Sequence, residues 1–376
     1  MDLDQQVRAL DRPTLTPLIR RALRHDDAEL VTWDHRRIPH LLGDTALSRV
    51  YRLTGAARVG GETRSWSLIL KALTRPPEAV AAPGWDREIA AFRSGLLDDL
   101  PGGLAAPRCF AIEERPEAVW LWQEDVAGEG DARWSPARFA LAARHLGRFS
   151  GRSLTGPLPD APWLSRGLLR GQADRNADFW DGRIPVRDPA LLDQLFPDGL
   201  LDRARRVWDE RYRLLDALDR LPQTLTHGDA DRRNLFARRG RDGEEETVAI
   251  DWAWMGVAAL GDDLVDLAAG SALWFQADPR DLPALAAACL AGYGAGLADA
   301  GWPGDARLAR VGFAIGTALH YGPCGPFVFR LRYPELAEAL ARAEGRGPYE
   351  TVDRLAAVQR FALDQLDAAR GDIAAL

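Results

Sequence analysis

The sequence predicts an α+β protein: a small N-terminal lobe built on an antiparallel sheet with one key helix, and a larger, mostly helical C-terminal lobe. Three observations predict it. Strand-like runs with a single amphipathic segment among them fill residues 40–125. Apolar residues recur at helical intervals through most of the chain beyond residue 135. Between the two lies Ala127-Gly128-Glu129-Gly130-Asp131, a glycine-flanked stretch of linker character. The expected division is 1–125 and 126–376.

In order, a short helix is expected after Pro13, with Thr16-Pro17 as its start, then a strand around Leu30 to Trp33. Trp66 to Leu73 is an apolar run with Lys71 near its end. Trp85, Ile89, Phe92, Leu96 and Leu100 recur at helical spacing, so 84–100 reads as an amphipathic helix. Two more strands are expected near Cys109–Ile112 and Ala118–Trp122. Helices are expected over 136–150 and 200–221, the latter carrying Leu201, Ala204, Trp208, Leu215 and Leu218. Residues 155–199, rich in Pro, Gly and Asp, read as an insertion or substrate-side loop with one or two short helices. Helices over 283–299, 304–319 and 350–370 are expected to pack the far side of the large lobe.

Composition narrows the classes. Of 376 residues, 47% are apolar and 27% charged, as in an ordinary globular protein. A formal charge of −7 argues against a nucleic-acid binder and is compatible with a cationic substrate. Cys109, Cys289 and Cys324 are odd in number and far apart, which implies neither a disulfide framework nor a zinc site. The start Met1-Asp2-Leu3-Asp4 lacks the basic and apolar stretches of a signal peptide, and Leu285 to Leu297 is too short and glycine-broken to span a bilayer. The expectation is a cytoplasmic protein with no membrane partner.

His227-Gly228-Asp229-Ala230-Asp231-Arg232-Arg233-Asn234 spells H-x-D-x-x-x-x-N, and Val248-Ala249-Ile250-Asp251-Trp252 comes after a short hairpin. In-line phosphoryl transfer needs one carboxylate on the attacking hydroxyl and two hard oxygen ligands to hold Mg²⁺ against the phosphates. Asp229 suits the first, Asn234 and Asp251 the others. Gly-Asp alone marks any tight turn. The order of strand (Thr224 to Thr226), loop, hairpin (Leu235 to Ala237 with Thr247 to Ile250) and terminal Asp is what points to phosphoryl transfer. A metallohydrolase using His227, Asp229 and Asp251 would want further His ligands, and the chain has six His in all.

Of 48 Lys plus Arg, only Lys71 is a lysine. A compact ammonium at a strand end suits a grip on nucleotide phosphates better than the planar fork of Arg. Glu88 lies on the inward side of the 84–100 helix, where a carboxylate needs a cation, and Lys71 is the candidate.

With these residues the chain resembles the aminoglycoside phosphotransferase family, the small-molecule-kinase branch of the protein-kinase-like bilobal fold. The resemblance runs from about residue 40 to about residue 340. It is carried by Leu70-Lys71, Arg87-Glu88, Leu121-Trp122-Gln123-Glu124-Asp125, the His227 to Asn234 loop, Ile250-Asp251-Trp252, Gly256 and Gly261-Asp262-Asp263-Leu264. H-G-D and I-D-W, with no A-P-E segment, point to this branch rather than to protein kinases.

The resemblance implies a Mg²⁺-dependent phosphotransferase, using ATP or alternatively GTP, that acts on a hydroxyl of an aminoglycoside-like or other small substrate. Lys71 and Glu88 would serve the phosphates, and the hinge backbone at Gln123 and Asp125 the adenine. Ser48, closing Gly43-Asp44-Thr45-Ala46-Leu47-Ser48, would lie over the phosphates. Asp229 would be the base, Asn234 and Asp251 the metal ligands, and Asp263 a brace for the catalytic loop. One departure is plain: Asp231-Arg232-Arg233 stands where His-Pro-Gly is common. The two Arg are read either as contacts for phosphate or substrate, or as partners of surface acids.

Other readings stay open. The acceptor could be choline, homoserine, methylthioribose or a sugar, or the chain could bind nucleotide with little catalysis. Trp163, Trp180, Trp252, Trp254 and Trp274 are candidates to line a sugar-stacking pocket, and Asp262, Asp263 and Asp266 to bind a cation.

Overall fold

The computed structural model describes residues 3–39, 48–76, 84–126, 133–183, 189–240, 243–323, 328, 331, 335, 338 and 348–376. Most of the expected phosphate loop (43–47), and the linker from 127, lie outside them. The chain forms two compact units, Met1–Asp99 with Ala106–Gly128, and Leu100–Ala105 with Glu129–Leu376.

The first unit begins with α1 (Leu3–Arg8) and α2 (Arg12–Leu23). Helix α2 starts earlier than expected because Asp11 caps it, accepting from the Thr14 amide at 3.0 Å, with Pro13 in the first turn. The strands β1 (Glu29–Ile38), β2 (Ser48–Val59) and β3 (Glu62–Thr74) then run antiparallel. Next come α3 (Arg87–Arg93) and, within the second unit, the short β4 (Leu104–Ala105). Strands β5 (Cys109–Glu114) and β6 (Ala118–Glu124) complete a five-stranded sheet of order β1-β2-β3-β6-β5.

Alternation along β3 sorts its side chains. Trp66, Leu68, Leu70 and Ala72 enter the core with Leu15, Leu18 and Ile19 of α2, which leaves Lys71 for the other face. Helix α3 is shorter than the 84–100 expected. Ser94 and Gly95 end it, Gly95 at φ +76°, so Leu97 rather than Leu96 is the buried residue beyond.

The second unit is mostly helical. It runs through α4 (Pro136–Thr155), β7 (Ser165–Arg166), α5 (Leu168–Trp180), α6 (Pro189–Leu195), α7 (Leu200–Asp209) and α8 (Arg211–Arg220). The single helix expected over 200–221 is two. The break falls at Glu210, whose carboxylate is held by Arg370 at 2.7 Å and Arg213 at 2.9 Å. Two small three-stranded sheets are completed by β8 (Gln223–Thr226), β9 (Leu235–Arg239), β10 (Glu245–Ala249) and β11 (Gly256–Ala259), in orders β4-β10-β9 and β7-β11-β8. The short α9 (Asp263–Val265) and α10 (Ser271–Leu273), joined by a π turn, lead to α11 (Leu282–Asp299), α12 (Arg307–Tyr321) and the helix Pro348–Ala374. Pro279–Asp299 is long and apolar enough to cross a membrane, and here it packs along α4.

His145 on α4 is 2% exposed, with Nδ1 3.0 Å from the Thr247 hydroxyl. Burial, aided by Arg138, Arg148 and Arg144, lowers its pKa to about 4. The native state therefore binds fewer protons than the unfolded chain. Its contribution is intact above about pH 6.5 and is lost as pH falls towards 4. Between about pH 7.5 and pH 5 this group should cost about 2 kcal/mol of unfolding free energy, a loss that His145→Gln removes in paired chemical-denaturation curves.

Candidate functional site

The lone lysine and its carboxylate meet as expected. Lys71 Nζ lies 2.5 Å from Glu88 Oε2, and the Glu88 side chain is 1% exposed. Removing one partner of so buried a pair strands the other charge. At the end of β6, Gln123 is buried, while the Asp125 carboxylate takes Arg52 at 2.8 Å. Ser48 opens β2, opposite Leu73.

In the second unit, the loop from β8 to β9 is built around His227. Its Nδ1 accepts from the Asp229 amide at 3.3 Å, and Nε2 donates to the Ile250 carbonyl at 2.9 Å. One acceptor and one donor describe a neutral imidazole, and burial accordingly lowers its pKa to about 4. Asp263 Oδ1 accepts the amides of His227 (2.9 Å) and Gly228 (3.1 Å). This is the bracing role that the resemblance implied for Asp263. Gly228 has φ +80°, and a Cβ there would meet the Trp254 carbonyl at 2.4 Å.

Asn234 Nδ2 donates to both Oδ2 and the main-chain carbonyl of Asp229, each at 2.9 Å. Pairing of β9 with β10 continues one step further, as the Ile250 amide donates to the Asn234 carbonyl at 2.9 Å. Asp251 comes at once after it, in the left-handed region with φ 61° and ψ 63°. The hairpin thus brings Asp229, Asn234 and Asp251 to one place. Burial, reinforced by the negative charges of Asp231, Asp266 and Asp251, raises the Asp229 carboxyl well above the usual range, against Arg233.

The two arginines of the loop part company. Arg232 is buried, its guanidinium 4.3 Å over Trp134 and donating to the Leu235 carbonyl at 2.9 Å. Arg233 clasps the buried Asp231 at 2.6 Å and lies 4.0 Å over the Trp274 ring. Arg232 is held inside the fold, and Arg233 by a buried acid rather than a surface one.

A cavity of about 360 Å³ opens beside Asp229. Arg233, Trp254, Trp274, Asp262, Asp266 and Tyr321 are among its walls. Burial, then Asp263 and Asp266, pushes the Asp262 carboxyl up to about 8. Asp266 is also raised by burial, while Tyr321, donating at 2.7 Å, works the other way. The cavity takes residues from 165–172 of the expected substrate-side loop, and also Gly316, His320 and Tyr321 from the end of α12. The sequence pattern points to far-side packing for α12. Its apolar periodicity carries no sign that the last turn borders a cavity. Trp252 is fully buried and Trp180 stacks on Trp208 at 5.7 Å, so of the five candidate tryptophans only Trp254 and Trp274 line this space.

Neither a family profile nor a curated protein matches the sequence. Solved structures do. The chain is similar to choline kinase from Cryptosporidium parvum Iowa II, at 10% identity over 90% of both chains, with a TM-score of 0.51. It is similar to amicoumacin kinase in complex with AMP-PNP, Ca²⁺ and Ami, at 15% identity over 97% of this chain and 96% of that one, TM-score 0.51. It is also similar to spectinomycin phosphotransferase in complex with ADP and spectinomycin, at 13% identity over 95% and 100%, TM-score 0.51. At such identities the likeness is one of fold. The chain has the α+β, protein-kinase-like fold that these small-molecule kinases share, and it has it over nearly its whole length.

Asp263→Ala leaves the His227 and Gly228 amides without their acceptor and should cost on the order of 2–4 kcal/mol, read as a lowered Tm. Asp263→Asn keeps an oxygen acceptor and should fall between the two.

Proposed function

We propose that this protein is an ATP-dependent small-molecule kinase that transfers the γ-phosphoryl group to a hydroxyl. The observation that carries this reading is the Asp229–Asn234–Asp251 grouping, with the Asn234 amide bonded to the Asp229 carboxylate at 2.9 Å. The nucleotide and substrate complexes of the kinases sharing its fold support it. In this reading Asp229 orients the acceptor hydroxyl and takes its proton as the new P–O bond forms and ADP departs. Lys71, held by Glu88, grips the phosphates, and the backbone near Gln123 and Asp125 receives the adenine.

Asn234 and Asp251 would hold Mg²⁺. Their donors fit: with Nδ2 committed to Asp229, the Asn234 Oδ1 points elsewhere, and a carboxamide and a carboxylate oxygen suit a hard cation that phosphates also ligate. Bound there, Mg²⁺ would neutralise charge on the phosphates. Among the described residues no cluster of three or more His, Cys, Asp or Glu offers a self-sufficient metal site, which disfavours the metallohydrolase alternative. Asp262 and Asp266, acids on the wall of the cavity that also holds Asp229, favour an acceptor bearing an ammonium group, such as an aminoglycoside or an amino alcohol, over a neutral sugar, because a cation beside them would offset the burial that disfavours their charged forms.

Asp229→Asn should retain nucleotide binding, seen as an unchanged ATP-induced thermal shift, and lose turnover by about 10²–10⁴-fold in a coupled ADP-release assay. Turnover at the wild-type rate would sink the assignment. Lys71→Ala should instead weaken the ATP-induced shift itself, and a shift equal to wild type would remove Lys71 from the nucleotide site.

A further inference from the structure

Two tryptophans flank Ala253 in the turn after Asp251, and the fold treats them oppositely. Trp252 is fully buried, 4.5 Å from the His227 ring, with Nε1 donating to the Ala249 carbonyl at 2.8 Å. Trp254 is 46% exposed, the most exposed large apolar side chain among the described residues. Among those residues no ring, cation or hydrogen-bond partner engages its indole.

This exposure is not scattered over the surface, where single apolar residues are ordinary. Trp254 is a wall of the cavity that also holds Asp229. Its backbone is seated against the catalytic loop, where Gly228 leaves no room for a Cβ. Strand β11 pairs Gly256 with Thr226, which pins this turn to the residue just before His227. The other indole of the cavity, Trp274, is covered by the Arg233 guanidinium. Trp254 is therefore a cavity-lining indole that no ring, cation or hydrogen-bond partner among the described residues engages, on a turn whose backbone is packed against the loop that carries Asp229.

We infer that Trp254 is the platform for the acceptor: a ring-bearing alcohol lays an apolar face on this indole and is bound in preference to open-chain alcohols, within reach of Asp229. The inference rests on the kinase reading and adds the shape of its acceptor. A cavity of about 360 Å³ is at the lower end for drug-sized ligands and has room for such a ring. Trp254 is a specificity-determining residue in this scheme; the proton still goes to Asp229.

The full chain is compared with Trp254→Ala and Trp254→Phe, both at an exposed position. Probes are ring-bearing alcohols (an aminocyclitol, a macrolide, a hexose) and open-chain ones (ethanolamine, choline, glycerol). Readouts are ADP release with Mg²⁺-ATP and thermal shift without nucleotide. We expect at least one ring-bearing probe whose acceptor KM rises about tenfold in Trp254→Ala, with kcat and nucleotide KM unchanged and Trp254→Phe restoring most of the loss. Open-chain probes should not distinguish the variants. A merely structural role would move kcat and nucleotide KM as well. Equal acceptor KM in wild type and Trp254→Ala for every ring-bearing probe overturns the platform, as does a wild type that no ring-bearing probe shifts or turns over. If no probe releases ADP but a ring-bearing one shifts wild type and not Trp254→Ala, the kinase reading falls and the platform stands.

Discussion

One carboxylate oxygen organises the candidate site. Asp263 Oδ1 takes the amides of both His227 and Gly228, and among the described residues the pairing of β8 with β11 stops at Thr226, short of them. With the loop's start held there, the His227 ring spans from the Asp229 amide to the Ile250 carbonyl. The two β strands that deliver the acidic residues are thereby tied through one neutral imidazole. Burial pushes the Asp263 carboxyl up to about 7, and its two N–H bonds offset part of that push.

The first unit depends on a different device. Period-2 alternation in β3 commits Leu68, Leu70 and Ala72 to the α2 core, and so sends Lys71 to the face where α3 supplies Glu88. A buried ion pair is a poor source of stability, because desolvation offsets most of its attraction. Its value here is positional. It fixes the ammonium of the only lysine in the chain at a defined point.

The loop's unusual Asp231-Arg232-Arg233 is explained by packing. Arg232 fills space over Trp134, and Arg233 is sandwiched between Asp231 and Trp274. Only the second of them borders the cavity. Two adjacent arginines with the same sequence context thus have different surroundings, and no spacing rule separates them.

The sequence by itself determined what depends on local chemistry. Strand alternation, the hairpin between Leu235 and Ala249, and the order of Lys71, Glu88, Asp229, Asn234 and Asp251 all follow from residue type and spacing. Helix ends were less legible where one residue decides them, as Gly95 does for α3 and the Arg370–Glu210 pair does between α7 and α8. The cavity was legible least. Its walls come from segments about 150 residues apart, Ser165 to Gln172 and Gly316 to Tyr321. Whether an indole is buried like Trp252 or bare like Trp254 depends on what lies against it. That is a property of tertiary packing: the two residues share a turn and a side-chain chemistry, and only their neighbours in space differ.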